Sequence, residues 1–155
     1  MLEFISSELD LKLNLPDGWI AIENRSLFAD YIKLSAIQIE NTAFLLIKYD
    51  ENNAKRIIRV YHNHKKYSTL WEYFFDLSHN TNNILSDNAV KLNSIASVTN
   101  SGIPFYHIMV KFRSGNVTSF NHVYHKNISL CFAAPIITGI TDSFEREVEQ
   151  IVSSI

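Results

Sequence analysis

"FYHIMVKFRSGNVTSFNHVYHKNISLCFAAPI", residues 105–136, decides the fold. Three segments, 105–114, 117–126 and 128–136, are dense in β-branched and aromatic residues and are separated by "SGN" and by Lys126-Asn127. Gly and Asn tolerate positive φ, so each break reads as a tight turn. At about ten residues per strand and turn there is no room for the dozen or more connecting residues of a parallel crossover. The stretch therefore predicts an antiparallel meander. "AVKLNSIASV" (89–98), followed by the turn residues "TNSGIP", adds a strand in front of it.

Working outward to the N-terminus, "ELDLKLNLPDGWIAI" sets Leu9, Leu11, Leu13 and Leu15 on one face of an extended chain, against Asp10, Lys12 and Asn14 on the other. Pro16-Asp17-Gly18 then turns the chain. Further strands are expected at 31–39, 43–50 and 55–63, the last two joined by a turn at Asn52-Asn53.

The period changes at residue 68. Leu70, Tyr73, Phe74 and Leu77 recur at helical spacing over 68–79, with Thr69 and Glu72 set as a capping box and Ser68 as the alternative cap. The polar "SHNTNN" is expected to end this helix. Trp71, Tyr73, Phe74 and Phe75 cover more than one helix face; the cluster reads chiefly as core, with part of it exposed or against an edge. A second helix closes the chain, with Phe144, Val148, Ile151, Val152 and Ile155 on one stripe and Asp142 with Glu145 as its capping box. The fold class is α+β: a twisted antiparallel sheet of six to eight strands, with the mid-chain helix and the C-terminal amphipathic helix packed on it.

Length and composition set the bounds. A chain of 155 residues suits one domain spanning 1–155. Apolar residues at 46% and charged residues at 19% exclude a disordered or fibrous chain. No apolar run reaches the roughly 18–20 residues that cross a bilayer. Fourteen basic residues against sixteen acidic ones give no field suited to nucleic acid. The opening "MLEFISSELD" lacks a basic segment followed by a long apolar one, so a cytoplasmic location is expected, or a periplasmic one if a signal has been removed. Cys131, the single cysteine, sits among apolar residues and reads as a buried thiol rather than a nucleophile.

Three histidine arrangements raise chemistry. In "RVYHNHKKY" (59–67), His62 and His64 share a strand face at a spacing that metals use, but zinc takes at least three protein ligands and no third is assembled nearby in sequence, so the pair reads first as a solvated strand end. The same run, with Lys55, Arg56, Arg59, Lys65 and Lys66, is a basic stretch free of acids and suits an acidic protein partner. In "NHVYH" (121–125), His122 and His125 face opposite ways, and strand register could bring His107 beside one of them, first of all as a stabilising cross-strand polar pair and alternatively as an acid/base couple. Neither a nucleophile elbow nor a phosphate-cradling glycine loop accompanies them, with four glycines in all.

The order of elements, carried by "LNLPDGW", "STLWEYF", "FYHIMVKF", "NHVYHKNISLCFAA" and "FEREVEQIVSSI", resembles the PsbP-like fold, which includes the photosystem extrinsic subunit and the Ran-binding Mog protein. Bacterial proteins similar in this way include effector-associated secretion chaperones, such as those serving type VI secretion, and envelope lipoprotein domains; no lipobox cysteine is present here. The resemblance implies a central antiparallel sheet with helices on it and a protein-binding role without catalysis. The expectation is a non-enzymatic module that binds a bacterial toxin or secreted effector, as an immunity protein or a chaperone. Lys55, Arg56, Arg59, His62, His64, Lys65 and Lys66 form its expected contact surface, without cofactor, metal or nucleic acid. The competing expectation is a metal- or ligand-binding protein or small hydrolase using the histidines. An immunity protein docks by charge, whereas a chaperone offers exposed apolar surface.

Overall fold

Leu11, Leu13 and Leu15 are buried and Lys12 and Asn14 exposed, as their alternation requires, and together they form strand β2 (Leu11–Leu15). The computed structural model describes the backbone of residues 1–87, 89–136 and 141–155, and the side chains of these except 63, 64, 81, 83–87, 141 and 142. β2 pairs antiparallel with β1 (Leu2–Ser6). That strand lay outside the sequence expectations because most of its side chains stay exposed and leave no alternating signal. The turn after β2 is closed by the Trp19 N–H donating to the Pro16 carbonyl at 3.3 Å, with Gly18 at φ +88°. A side chain there would be strained whatever the space.

Seven strands form the main sheet: β3 (Ile20–Ile22), β4 (Thr42–Tyr49), β5 (Lys55–Lys66), β6 (Ala89–Val98), β7 (Pro104–Phe112), β8 (Val117–His125) and β9 (Ile128–Ile136). Their spatial order is β3-β4-β5-β9-β8-β7-β6, and every neighbouring pair is antiparallel. The predicted meander is therefore β6 to β9. Its last strand returns to pair with β5, bringing Phe132 opposite Val60. Between β8 and β9, Lys126 and Asn127 have φ of 48° and 68°, the two positive values of a type I′ hairpin turn.

Successive side chains of β4 divide between two cores. Phe44 and Leu46 join Leu13, Leu15, Ile58, Phe132 and the terminal helix on one face. Leu45 and Ile47 join Phe28 and Ile57 on the other. The first face is covered by β1–β2 and by α3 (Thr141–Ser153), whose Phe144, Val148, Ile151 and Val152 are buried as predicted. Fully burying one such side chain stabilises the fold by about 1.5–3 kcal/mol. The Asp142 cap expected for α3 lies outside the described residues. On its upper side α3 is fastened by Glu147, which accepts from Arg56 at 2.7 Å, from Lys48 at 3.0 Å and from the Trp19 indole N–H.

The second face carries a 3-10 turn (Arg25–Asp30), α1 (Ala36–Asn41) and α2 (Leu70–Asp87). The strand predicted at 31–39 is corrected here: Ser35 starts α1 instead. Its hydroxyl accepts from the Gln38 N–H at 3.2 Å while the Gln38 side chain accepts from the Ser35 N–H at 2.9 Å, a reciprocal cap that outweighs the alternating pattern. The predicted Thr69 cap of α2 is present, its hydroxyl accepting from the Glu72 N–H at 3.1 Å. The predicted end at "SHNTNN" is also corrected, because α2 runs on to Asp87. Asn, Thr and His disfavour helix by only tenths of a kcal/mol each, and no Gly or Pro interrupts the stretch.

Candidate functional site

Because β5 is extended, the basic run predicted as one surface is divided between two faces. Arg56 and His62 turn towards the α3 side with Ile58 and Val60, and both are buried, so the solvated strand end expected at His62 is corrected: the strand continues past it to Lys66, with His62 under cover. Lys55 and Arg59 turn the other way with Ile57. Each is engaged inside the molecule: Arg59 Nε donates to Thr42 Oγ1 at 2.8 Å, its guanidinium lies 4.2 Å from the Tyr61 ring, and Lys55 Nζ donates to the Tyr31 carbonyl. Lys65 pairs with Asp76 at 3.1 Å. The Tyr67 hydroxyl, first, and Lys65 hold the Asp76 carboxyl below its ordinary range. Lys66 is exposed, and the His64 side chain lies outside the described residues. The run is thus mostly strand-to-helix fastening.

The histidine couple does not form. His107 stands opposite Asn121 in the β7–β8 ladder, and His122 stands opposite Tyr106 on the other face of the sheet. His125 shares the face of His107 but sits at the far end of β8, where its Nε2–H donates to the Leu9 and Asp10 carbonyls at 3.1 and 3.2 Å. That bond ties the β1–β2 hairpin to the sheet. Burial lowers the His125 pKa, and the Leu9 bond opposes the shift.

His107 instead makes a cross-strand polar pair, as one reading of the sequence expected, but with Asn121 and Ser119, which the sequence did not single out because they meet it only through register. Asn121 Oδ1 lies 2.9 Å from His107 Nδ1, and Asn121 Nδ2 donates to Ser119 Oγ at 3.0 Å and to the Phe132 carbonyl at 3.2 Å. With the amide so oriented, Nδ1 carries the proton, and in the neutral ring Nε2 is an acceptor. Ser119 is buried, and its hydroxyl is 3.4 Å from an Nδ1 already committed to Asn121. This geometry holds the imidazole still and does not activate the serine as a nucleophile.

The group forms the back of a cavity of about 220 Å³ between α3 and the β6–β7–β8 end of the sheet. Phe105 and Val148 supply apolar wall, Asn93, Ile95 and Ser97 of β6 form the outer side, and Glu145 and Glu149 stand on the helix above.

Under α2, the opposite face is packed with rings. Tyr73 stacks on Tyr124 with centroids 4.8 Å apart and meets Tyr67 edge-on at 5.4 Å. His122 lies nearly parallel to Phe120 at 6.4 Å, and burial lowers its pKa to about 4. Burial also raises the Cys131 thiol to about 12, against a hydrogen bond from Tyr61 that lowers it, so the thiol stays protonated. Among the described residues no three His, Cys, Asp or Glu side chains gather to hold a metal.

α2 and β6 both carry exposed apolar side chains. On α2, Trp71 is 80% exposed and Phe75 69%. On β6, Val90 is 64% exposed, Ile95 60% and Val98 59%. β6 is also an edge, pairing among the described residues with β7 alone. Among the described residues no helix is long and apolar enough to cross a membrane.

No family model and no curated protein matches the chain. Among solved structures it is similar to the solution structure of cyanobacterial PsbP (CyanoP) from Synechocystis sp. PCC 6803, with a TM-score of 0.56 and 11% identity over 99% of this chain and 89% of that one. The fold is PsbP-like.

Proposed function

We propose that the protein is a non-enzymatic binding module that escorts a secreted bacterial effector or toxin, holding an apolar segment of it against the β6 end of the sheet. The observation that carries this reading is the pair of exposed apolar sets on α2 and on the edge strand β6. Aromatic side chains as open to water as Trp71 and Phe75 cost solubility unless something covers them. An open, apolar sheet edge is the element that recruits extended segments of other chains. The charge-driven immunity reading has less support, since the β5 cations that were to meet an acidic toxin are largely paired within the fold. An escort of this kind acts where its client is held before export, which is the cytoplasm.

Site-specific photo-cross-linking in the native host tests the proposal. A cross-linker placed at Phe75 or Ile95 is expected to capture one discrete secreted protein, and one placed at Glu51, on the β4–β5 turn, to capture none. Capture from Lys66 alone would transfer the docking surface back to β5, and turnover of a small molecule by the purified protein would end the non-enzymatic reading.

A further inference from the structure

We infer that the outer edge of β6 takes an extended segment of a protein partner as an added strand, and that a lysine or arginine of that segment lodges in the cavity beneath α3, with its charged head on Glu145 and Glu149. This deepens the docking reading and rests on it.

The two edges of the sheet are unlike. β3 is three residues long, whereas β6 runs for ten and offers a ladder of main-chain groups on the side away from β7. A bulge between Lys91 and Asn93 interrupts its pairing with β7, leaving Asn93 to Val98 as the regular part of the edge. Within that part Asn93, Ile95 and Ser97 share one face and line the cavity. A strand laid alongside β6 points every second side chain to that same face, so a residue opposite Ile95 stands at the cavity mouth.

The lining fixes the chemistry of that residue. Ile95, Phe105 and Val148 suit a methylene stem, and the volume of about 220 Å³ accepts one long side chain. At the helix side Glu145 and Glu149, one turn apart on α3, present two carboxylates. No Lys or Arg lines the cavity, and neither carboxylate has an ion-pair partner among the described residues. Glu147 on the same helix, by contrast, is fully engaged by Arg56, Lys48 and Trp19. His107, steadied by Asn121, offers Nε2 as a further acceptor for an N–H. A long aliphatic side chain ending in several donors is what this arrangement receives best.

The test uses a dye-labelled nine-residue peptide of alternating threonine and valine with a central arginine. Its controls are the same peptide with central norleucine and the same peptide with alternate backbone nitrogens methylated. Against the full-length protein, the arginine peptide is expected to bind and to shift the backbone amide resonances of residues 93–97, and the methylated peptide to fail. The double substitution Glu145→Gln, Glu149→Gln is expected to weaken arginine-peptide binding about tenfold and to leave the norleucine peptide unchanged, about tenfold being what one lost charge-assisted contact is worth. No binding of the arginine peptide, equal binding to the substituted protein, or shifts elsewhere on the sheet would overturn the inference. So would binding of free arginine amide with the same affinity as the peptide, which would make the cavity a small-cation site. Cross-linking of a partner from Phe75 together with a silent peptide would leave the docking reading standing and remove this one.

Discussion

At the scale of single residues, two side chains set measurable terms in stability. Arg56 is buried against Glu147, and its Nε has no acceptor among the described residues, so the carboxylate is its main compensation. Glu147→Gln should therefore cost about 3 kcal/mol in urea unfolding, because it strands a buried cation, whereas Arg56→Met combined with Glu147→Leu should cost much less. His122 provides the second term. Burial lowers its pKa from 6.5 to about 4, so on acidification the unfolded chain takes up this proton before the folded one. The stability that comes from keeping the ring neutral is complete above pH 6.5 and is lost as pH falls toward 4, by about 2 kcal/mol once the ring's partial exposure is discounted. Unfolding curves at pH 7.5 and 4.5 should diverge less for His122→Gln than for the unsubstituted protein, and equal slopes would show that the ring is solvated in the fold.

At the scale of elements, what can be read in the sequence depends on whether the deciding contacts are local. The meander was legible because its turns sit in the chain itself, as Lys126-Asn127 shows, and α3 because five apolar residues fall on one stripe. α1 was not, since the alternation in 31–39 mimics a strand until the Ser35–Gln38 reciprocal cap is weighed. The polar group at the cavity was hidden for a different reason. His107 and Asn121 are fourteen residues apart and meet only because the β7–β8 ladder sets them opposite. For α2, sequence spacing put Leu70, Tyr73, Phe74 and Leu77 on one stripe, but the helix buries only Tyr73 and Leu77 of these four and rests on the sheet by a narrow contact. Tyr73→Ala, which removes the ring stacked on Tyr124, should cost about 3 kcal/mol, and hydrogen exchange in the first two turns of α2 should accelerate ahead of that in β8 and β9. Uniform acceleration would mean that α2 unfolds only with the sheet.

At the scale of the molecule, helices and a hairpin sandwich the sheet on its two faces, and what distinguishes one end is its lack of cover. The β3 end is short and neighbours the 3-10 turn, while the β6 end combines a ten-residue edge with the cavity under α3. Apolar surface kept for a partner and apolar surface that holds a fold together answer differently to substitution. If the exposed set serves docking, Trp71→Ser, Phe75→Ser and Ile95→Thr should each change unfolding free energy by no more than about 0.5 kcal/mol, since these side chains lose little water on folding. Phe132→Ala, in the core between β5 and β8, should cost about 3–5 kcal/mol. The triple exposed variant should also bind less of a hydrophobic dye at unchanged stability. A triple variant that unfolds by more than the sum of small single effects would place Trp71, Phe75 and Ile95 in the fold's own packing, and the β6 end would then have no surface to spare for a client.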